Sequence, residues 1–217
     1  MVPDTVVVVA GGLKPGVRAL ASVPTGAPVI GADRGAEYAL ACGLRVEAAV
    51  GDFDSITAAG LEALERAGVR IERHPLAKEA TDLELALDAA AALGPRRILM
   101  VGGAGGRLDH LLGELSLLAS DVYAGIELDA VLGRAMVNVV RGERLLVGRA
   151  GELISLLSLH GPAVGVVTEG LVYPLRGETL APGSSRGISN VFAAKEARVS
   201  LESGVVLAVR PGKRASA

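Results

Sequence analysis

The sequence predicts an α/β domain with a doubly wound parallel sheet over residues 1–124, followed by a β-sandwich domain over residues 125–217. Two patterns indicate this division. In the first part, near-continuous apolar runs alternate with helix-periodic segments, as is typical of parallel strands that are covered by helices on both faces. In the second part, short apolar segments follow one another with turn residues between them, as is typical of antiparallel sheets. A length of 217 residues is enough for a substantial core.

The strands of the first part are predicted from apolar runs that end in Gly-rich or acidic turns. They are TVVVVA (5–10), PVIGA (28–32), VEAAV (46–50), VRIE (69–72) and RRILMV (96–101). Helical segments are predicted around 34–42, 57–67, 81–93 and 107–119. The last of these carries an apolar stripe, predicted to be core, at Leu108, Leu111, Leu112 and Leu115. The alternation of strands and helices predicts a Rossmann-like sheet.

The strands of the second part are predicted from shorter segments. They are IELDAVL (126–132), AMVNVV (135–140), RLLVG (144–148), LISLLSL (153–159), VGVVT (164–168), ARVSLES (197–203) and VVLAV (205–209). The segment GETLAPGSSRGISN (177–190) is rich in Gly and Ser and is predicted to be a loop.

The composition excludes several classes of protein. A net charge of -2 and an aromatic content of 2% argue against a nucleic-acid partner, because neither a basic surface nor stacking rings are available. A single cysteine, Cys42, excludes an internal disulfide and a cysteine-based zinc site. No secretory leader and no stretch long enough to span a bilayer is recognisable, so we expect a cytoplasmic protein without a membrane partner.

Polar residues follow each predicted strand of the first part. The strand ends are GG (11–12), ADRGA (32–36), GDFDS (51–55), HPLAKEATD (74–82) and GGAGGRLDH (102–110). Ligands of doubly wound sheets bind outside the carboxyl ends of the strands. The sequence therefore predicts a polar crevice at this edge of the sheet.

Two carboxylates, Asp52 and Asp54, are separated by one residue at the end of a predicted strand. A solvated acidic turn is one interpretation. The other is a Mg²⁺ site, because hard oxygen ligands suit this ion and it would offset the repulsion between the two charges. Asp82 is predicted at the same edge, where Thr81 and Glu84 have the spacing of a helix capping box.

The Gly-rich turn before the predicted helix at 107–119 has the features of a phosphate-binding loop. Its residues are Gly102, Gly103, Gly105 and Gly106, followed by Arg107. Glycines let backbone N–H groups approach an anion, and the helix N-terminus favours negative charge. A flexible turn with a solvent-facing arginine is the alternative. The G-x-G-x-x-G fingerprint and the Walker A sequence are both absent.

The motifs ADRGA, GDFDSI, KEATDLELAL and GGAGGRLDHLLGEL, in this order, resemble those of the bacterial thiamine pyrophosphokinase (thiamine diphosphokinase) family. The resemblance continues in ELISLLSL, TEGLVYPL and RGISNVF. It implies transfer of pyrophosphate from ATP, as co-substrate, to the hydroxyl of thiamine, with Mg²⁺ as cofactor. It also implies a homodimer with active sites at the subunit interface.

The resemblance also implies roles for individual residues. The catalytic set would be Asp52, Asp54, Asp82 and Arg107, the three aspartates holding the metal. ATP and its phosphates would be bound by Asp33, Gly35, Lys78, Thr81, Gly102, Gly103, Gly105, Gly106, Arg107, Asp109 and His110. Thiamine would be bound by Ser189 and Asn190.

Three positions depart from the family pattern. Arg34 replaces a common glycine, Glu79 replaces an aspartate, and Val191 stands where a glutamate commonly follows ISN. A pyrophosphokinase for another small alcohol, such as a pterin or a thiamine analogue, is therefore a first alternative. A nucleotide-binding protein without turnover is a second, and a dinucleotide-dependent oxidoreductase is a third.

Overall fold

The computed structural model describes residues 2–103 and 106–212. The chain divides into two compact units, one of residues 1–114 and 125–133, the other of residues 115–124 and 134–217. Residues 125–133, which the sequence assigns to the second domain, thus lie in the first unit, and residues 115–124 lie in the second.

The first unit is built on six parallel strands with helices between them. The strands are β1 (Thr5–Val9), β2 (Val29–Ala32), β3 (Val46–Gly51), β4 (Arg70–Arg73), β5 (Arg97–Gly102) and β6 (Glu127–Leu132), and the helices are α1 (Val17–Leu20), α2 (Arg34–Ala41), α3 (Ala58–Arg66), α4 (Asp82–Ala91) and α5 (Leu108–Leu118). Neighbouring strands run in the order β6-β5-β1-β2-β3-β4, and every pair is parallel. The five strands predicted for this part are confirmed.

Strand β6 corrects one prediction. The segment IELDAVL was assigned to the antiparallel part, but β6 pairs in parallel with β5, with Met100 opposite Ala130. Five of its six residues are buried, as expected for a parallel strand that is covered on both faces. The near-continuous apolar run was therefore the informative signal, and the preceding helix α5 supplies the long connection that a parallel pair requires.

Two glycines bring α2 close to the sheet. A Cβ atom at Gly35 would overlap the carbonyl oxygen of Val9, and a Cβ atom at Gly31 would overlap the backbone of Ala36. Both positions therefore require glycine. This tight packing fixes the turn between β2 and α2, in which Asp33 lies.

The apolar stripe predicted on α5 is wrong for two of its members. Leu108 is 69% exposed and Leu112 is 56% exposed, whereas Leu118 is buried. The sequence LDHLLGELSLL has leucine on several sides of the helix. Spacing alone therefore could not identify the buried face.

The second unit is formed by antiparallel strands. They are β7 (Ala135–Val140), β8 (Glu143–Val147), β9 (Leu153–Leu157), β10 (Ala163–Glu169), β11 (Arg176–Leu180), β12 (Asn190–Val191), β13 (Glu196–Ser200) and β14 (Val206–Arg210), preceded by a 3₁₀ turn at Asp121–Tyr123. Two arrays result, β12-β9-β14-β7 and β11-β10-β13-β8. One buried apolar cluster includes Ile154 from the first array and Val166 from the second.

The loop predicted at 177–190 is shorter than expected, since β11 covers its first residues and β12 begins at its last. The chain as a whole thus combines parallel and antiparallel sheets with few helices. No helix in the described ranges has the length and apolar character required to cross a membrane.

Candidate active site

Asp33 lies in the turn between β2 and α2 and is only 9% exposed. Its backbone N–H donates to the carbonyl of Val50 (2.8 Å), and its φ of 48° is unusual for a residue other than glycine. The Ser55 hydroxyl donates to one carboxylate oxygen. The other oxygen, Oδ1, is buried and has no hydrogen-bond partner among the described residues. Burial raises the pKa of Asp33, against the hydrogen bond from Ser55.

Asp52 and Asp54 lie in the turn that follows β3. Phe53 between them has a φ of 63° and packs with Leu64 and Val69 in the core, where it is 7% exposed. The Asp54 backbone N–H donates to Asp52 Oδ1 at 3.1 Å. The buried phenyl ring anchors the turn that carries the half-buried Asp52 and the exposed Asp54.

Three carboxylates come together at the ends of β2 and β3. One oxygen each of Asp33, Asp52 and Asp54 lies within 4.8 Å of the other two. This carboxylate cluster differs from the predicted metal set, since Asp33 is part of it and Asp82 is not. Asp33 carries the same sequence signal as Asp52, an acidic residue directly after a buried strand, but the sequence could not say which carboxylates share a centre.

Lys78 connects Asp82 to this cluster. Its ammonium nitrogen is 2.8 Å from Asp52 Oδ2 and 2.8 Å from Asp82 Oδ1. The side chains of Lys78, Asp52 and Asp82 are 14%, 12% and 24% exposed. The hydrogen bond from Lys78 lowers the pKa of Asp52. Burial acts to lower the pKa of Lys78, but its bonds to the two carboxylates outweigh burial and raise that pKa.

The start of α4 places Asp82 beside the turn after β3. Thr81 caps the helix, its hydroxyl accepting from the Glu84 N–H at 3.2 Å, which confirms the predicted cap. A Cβ atom at Gly51 would be 3.0 Å from Asp82 Oδ1 and 3.3 Å from Asp33 Cβ. A glycine at this position thus allows both aspartates to approach the end of β3.

The Gly-rich turn after β5 lies only partly in the described residues, and Gly105 falls outside them. A Cβ atom at Gly103 would lie 2.7 Å from Leu13 Cβ, and Gly106 has a φ of 79°. Gly102 is buried and ends β5. Close packing at Gly103 and the backbone conformation at Gly106 account for these two glycines without a ligand. The predicted contact of the turn with phosphate remains untested.

Arg107 is not bonded to the carboxylate cluster in this structure. It forms a two-pronged pair with Asp109, with Nη2 2.6 Å from Oδ2 and Nε 3.2 Å from Oδ1. Both side chains are mostly exposed, at 71% and 64%. The bond to Arg107 lowers the pKa of Asp109 to about 2. His110, the next residue, is exposed.

The two residues predicted to bind thiamine lie in the second unit and differ in exposure. Ser189 is exposed, has a φ of 59°, and its N–H donates to the Ser155 hydroxyl at 3.1 Å. Asn190 is only 3% exposed. Its Nδ2 donates to the carbonyl of Tyr173 at 2.7 Å, and its Oδ1 accepts from the N–H of Tyr173 at 3.1 Å.

The arrangement in the first unit defines a class of protein. Carboxylates and a lysine at the carboxyl ends of parallel strands are typical of enzymes that bind a divalent metal together with phosphate groups. Matches to two family models identify the family within this class. The model described as "Thiamin pyrophosphokinase, catalytic domain" matches residues 25–128, and "Thiamin pyrophosphokinase, vitamin B1 binding domain" matches residues 140–206.

Individual relatives agree with these models. The thiamine pyrophosphokinase of Bacillus subtilis (strain 168) is 30% identical over 183 residues, which cover 83% of this chain and 86% of the relative. A crystal structure of thiamine pyrophosphokinase from B. subtilis superposes with a TM-score of 0.86 at 28% identity, covering 97% of this chain and 100% of that chain. The enzyme from Geobacillus thermodenitrificans gives a TM-score of 0.82 at 27% identity, covering 98% and 99% of the two chains. The chain belongs to the thiamine pyrophosphokinase family.

Proposed function

We propose that this protein is a thiamine diphosphokinase that transfers pyrophosphate from ATP to the hydroxyl of thiamine and releases AMP. The observation that carries this proposal is the cluster of Asp33, Asp52 and Asp54, joined by Lys78 to Asp82, in a chain of this family. Displacement at phosphorus depends mainly on positioning and on neutralisation of charge, and these residues can supply both.

The carboxylate cluster fits Mg²⁺. Three carboxylate oxygens lie close enough to share one ion, and Asp33 Oδ1 is buried without a hydrogen-bond partner among the described residues. Such an atom is costly unless a ligand satisfies it. Asp33, Asp52 and Asp54 would therefore hold the ion, with Asp82 next to it. When bound, Mg²⁺ would supply positive charge opposite the oxygens of the triphosphate.

Lys78 and Arg107 are the cations that we propose for phosphate binding. Lys78 is held between two carboxylates, and it would be free to contact phosphate once Asp52 serves as a metal ligand. Arg107 is exposed next to the Gly-rich turn, and a guanidinium group matches the geometry of phosphate oxygens. Asp109 would orient Arg107, since the two side chains share a two-pronged contact.

The transfer changes two bonds at phosphorus and the O–H bond of the acceptor. The hydroxyl oxygen of thiamine forms a bond to the β-phosphorus of ATP, and the bond from this phosphorus to the oxygen shared with the α-phosphate breaks. AMP leaves with that oxygen, and the hydroxyl proton is released to solvent. We propose that the first unit, with a Rossmann-like doubly wound sheet, binds ATP, and that the second, a β-sandwich, binds thiamine near Ser189. The homodimer and the cytoplasmic location remain predictions.

The first experiment measures AMP release from ATP and Mg²⁺ with and without thiamine, with the product identified by its mass. Thiamine-dependent AMP together with thiamine diphosphate is the expected result. Nucleotide binding without thiamine-dependent AMP would contradict the proposal. It would favour the alternative of another small alcohol, for which the same assay with a hydroxymethylpterin or a thiamine analogue is the test.

A variant tests the role of the carboxylate cluster. Asp54→Asn removes a charged ligand from an exposed turn, so we expect turnover to fall by at least about a hundredfold while the fold remains intact. Glu65→Gln, the same change at an exposed position of α3, is the matched control and should keep wild-type activity. Near-normal turnover of the Asp54→Asn variant at low Mg²⁺ would refute the assignment of the metal site.

A further inference from the structure

Glu37, on the first turn of α2, connects that helix to the start of α3. Its Oε1 accepts a hydrogen bond from the Thr57 hydroxyl at 3.0 Å. The same hydroxyl accepts from the Gly60 N–H at 2.9 Å and so caps α3. A Cβ atom at Gly60 would lie 2.7 Å from Glu37 Cδ, so the carboxyl group lies directly against the backbone of α3. Glu37 therefore fixes the N-terminus of α3 against α2.

Arg34 compensates the charge of Glu37. Its Nε is 3.5 Å from Glu37 Oε2, and the Glu37 side chain is only 24% exposed. The Cζ atom of Arg34 is 5.5 Å from the centroid of the Tyr38 ring, one turn further along α2. A carboxylate that is largely buried is costly without a counter-charge. The arginine that departs from the family pattern thus helps to keep Glu37 in place.

Two hydrogen bonds join the turn of residues 52–57 to the start of α2. The Ser55 hydroxyl donates to Asp33, and the Thr57 hydroxyl donates to Glu37. These bonds would respond differently to a metal ion. Asp33 belongs to the carboxylate cluster, so an ion would compete with Ser55 for its carboxylate, whereas Glu37 is not a member of that cluster. The bond between Thr57 and Glu37 can therefore persist with and without the ion.

We propose that Glu37 is a positioning residue of the metal site. Through Thr57, it sets how far the turn of residues 52–57 lies from Asp33. This inference rests on the metal site of the proposed function. Glu37 itself does not touch the ion, and it acts by holding the segments that carry the ligands at a fixed separation before the ion arrives. Residues that orient metal ligands from outside typically change metal affinity by about 10–100-fold.

The test is a titration with Mn²⁺, followed by the electron paramagnetic resonance signal of the free ion, without nucleotide or thiamine. Mn²⁺ prefers the same oxygen ligands as Mg²⁺. For E37A we expect the Kd for Mn²⁺ to rise about tenfold. E37Q keeps an oxygen acceptor for Thr57 and should stay within about threefold of wild type. Because both variants remove one negative charge, the difference between them isolates the hydrogen bond. E62A, at an exposed glutamate of α3, is the matched control and should leave the Kd unchanged.

A second pair of variants and a second measurement test the same bond from its other side. T57V removes the hydroxyl and leaves Glu37 in place, so it should weaken Mn²⁺ binding as E37A does, whereas T57S should not. Hydrogen exchange in chelator should be faster at residues 52–57 in E37A than in wild type, while the amides of β1 remain protected.

An E37A protein with a lower Tm and an unchanged Kd for Mn²⁺ would show a merely structural role and would overturn this inference. Equal weakening in E37A and E37Q would also overturn it, because loss of charge would then be sufficient. A wild-type protein that does not bind Mn²⁺ would refute the metal site and this inference together. The expected pattern of Mn²⁺ affinities in a protein that forms no thiamine diphosphate would support this inference and refute the proposed reaction.

Discussion

Removal of the Lys78 ammonium group should destabilise the metal-free protein, and Mg²⁺ should reverse much of the loss. Lys78 is the cation between Asp52 and Asp82, at 2.8 Å from each. Lys78→Met retains most of the aliphatic volume and removes the charge. The two carboxylates then face each other and Asp54 without this counter-charge.

The size of the effect follows from the exposure of the groups. An exposed ion pair contributes about 0.2–1 kcal/mol, whereas loss of one partner from a buried pair costs about 3–5 kcal/mol. The three side chains are 12–24% exposed, which places them between these limits. We therefore expect a loss of about 2 kcal/mol, which corresponds to a fall in Tm of about 4–8 °C for a chain of this length.

The pH dependence has a definite sign. The pKa of Asp52 is lowered from its ordinary value of 3.8, so its contribution is fully present above that value and is lost as the pH falls through the lowered pKa. The pKa of Lys78 is raised above 10.5, so its contribution is lost only as the pH rises through the raised pKa. The difference in stability between the variant and wild type should thus be largest around neutral pH and should diminish in acid.

The assay is thermal unfolding at neutral pH, in chelator and then in saturating Mg²⁺. A bound ion would take over neutralisation of the carboxylates, so the Tm difference seen in chelator should shrink by more than half when Mg²⁺ is present. Lys195→Met, at an exposed lysine of the second unit, is the matched control and should leave Tm within about 1 °C. A Lys78→Met protein as stable as wild type in chelator would refute the argument, and so would a deficit that Mg²⁺ does not change.

Two further predictions concern the turn between β2 and α2. Gly35→Ala should lower the free energy of unfolding in urea by more than about 2 kcal/mol, because the new methyl group overlaps the Val9 carbonyl. Gly113→Ala is the control, since open space surrounds Gly113, and it should be neutral or stabilising. Equal effects of the two substitutions would contradict the packing of Gly35. Asp33→Asn should stabilise the metal-free protein at neutral pH, because burial raises the pKa of Asp33 and so makes its ionised form costly. That gain should vanish as the pH falls below 3.8, and a variant less stable than wild type at pH 7 would contradict it.

The sequence predicts the first unit well because its signals are local. Apolar runs such as TVVVV are buried on both faces, and Thr81 forms the cap that its spacing to Glu84 indicates. The prediction from the sequence was wrong where one sequence pattern is compatible with two kinds of strand pairing. The apolar run of β6 is compatible with a parallel or an antiparallel partner, and only the pairing with β5 decides between them.

The sequence predicted at which edge of the sheet the candidate site lies, but not how its side chains are arranged. Parallel strands bring their carboxyl ends to one edge, so a cluster containing Asp52 and Asp54 could be expected there. Which third carboxylate joins them depends on the backbone at Asp33, whose φ of 48° no propensity predicts. The buried state of Asn190 was likewise beyond the sequence, because it depends on contacts with Tyr173, 17 residues earlier in the chain.

The fold separates two requirements that would otherwise conflict at the end of β3. In the proposed metal site, Asp52 and Asp54 would have to stay close to hold one ion, yet their charges repel each other in the metal-free protein. Phe53 keeps the two carboxylates close together, since its side chain is buried in the core and fixes the position of the turn. Lys78 addresses the second, since it neutralises Asp52 from a different segment of the chain. In the proposed reaction Lys78 would exchange carboxylate for phosphate without displacing Asp52 and Asp54, because it does not lie on the turn that the core holds in place.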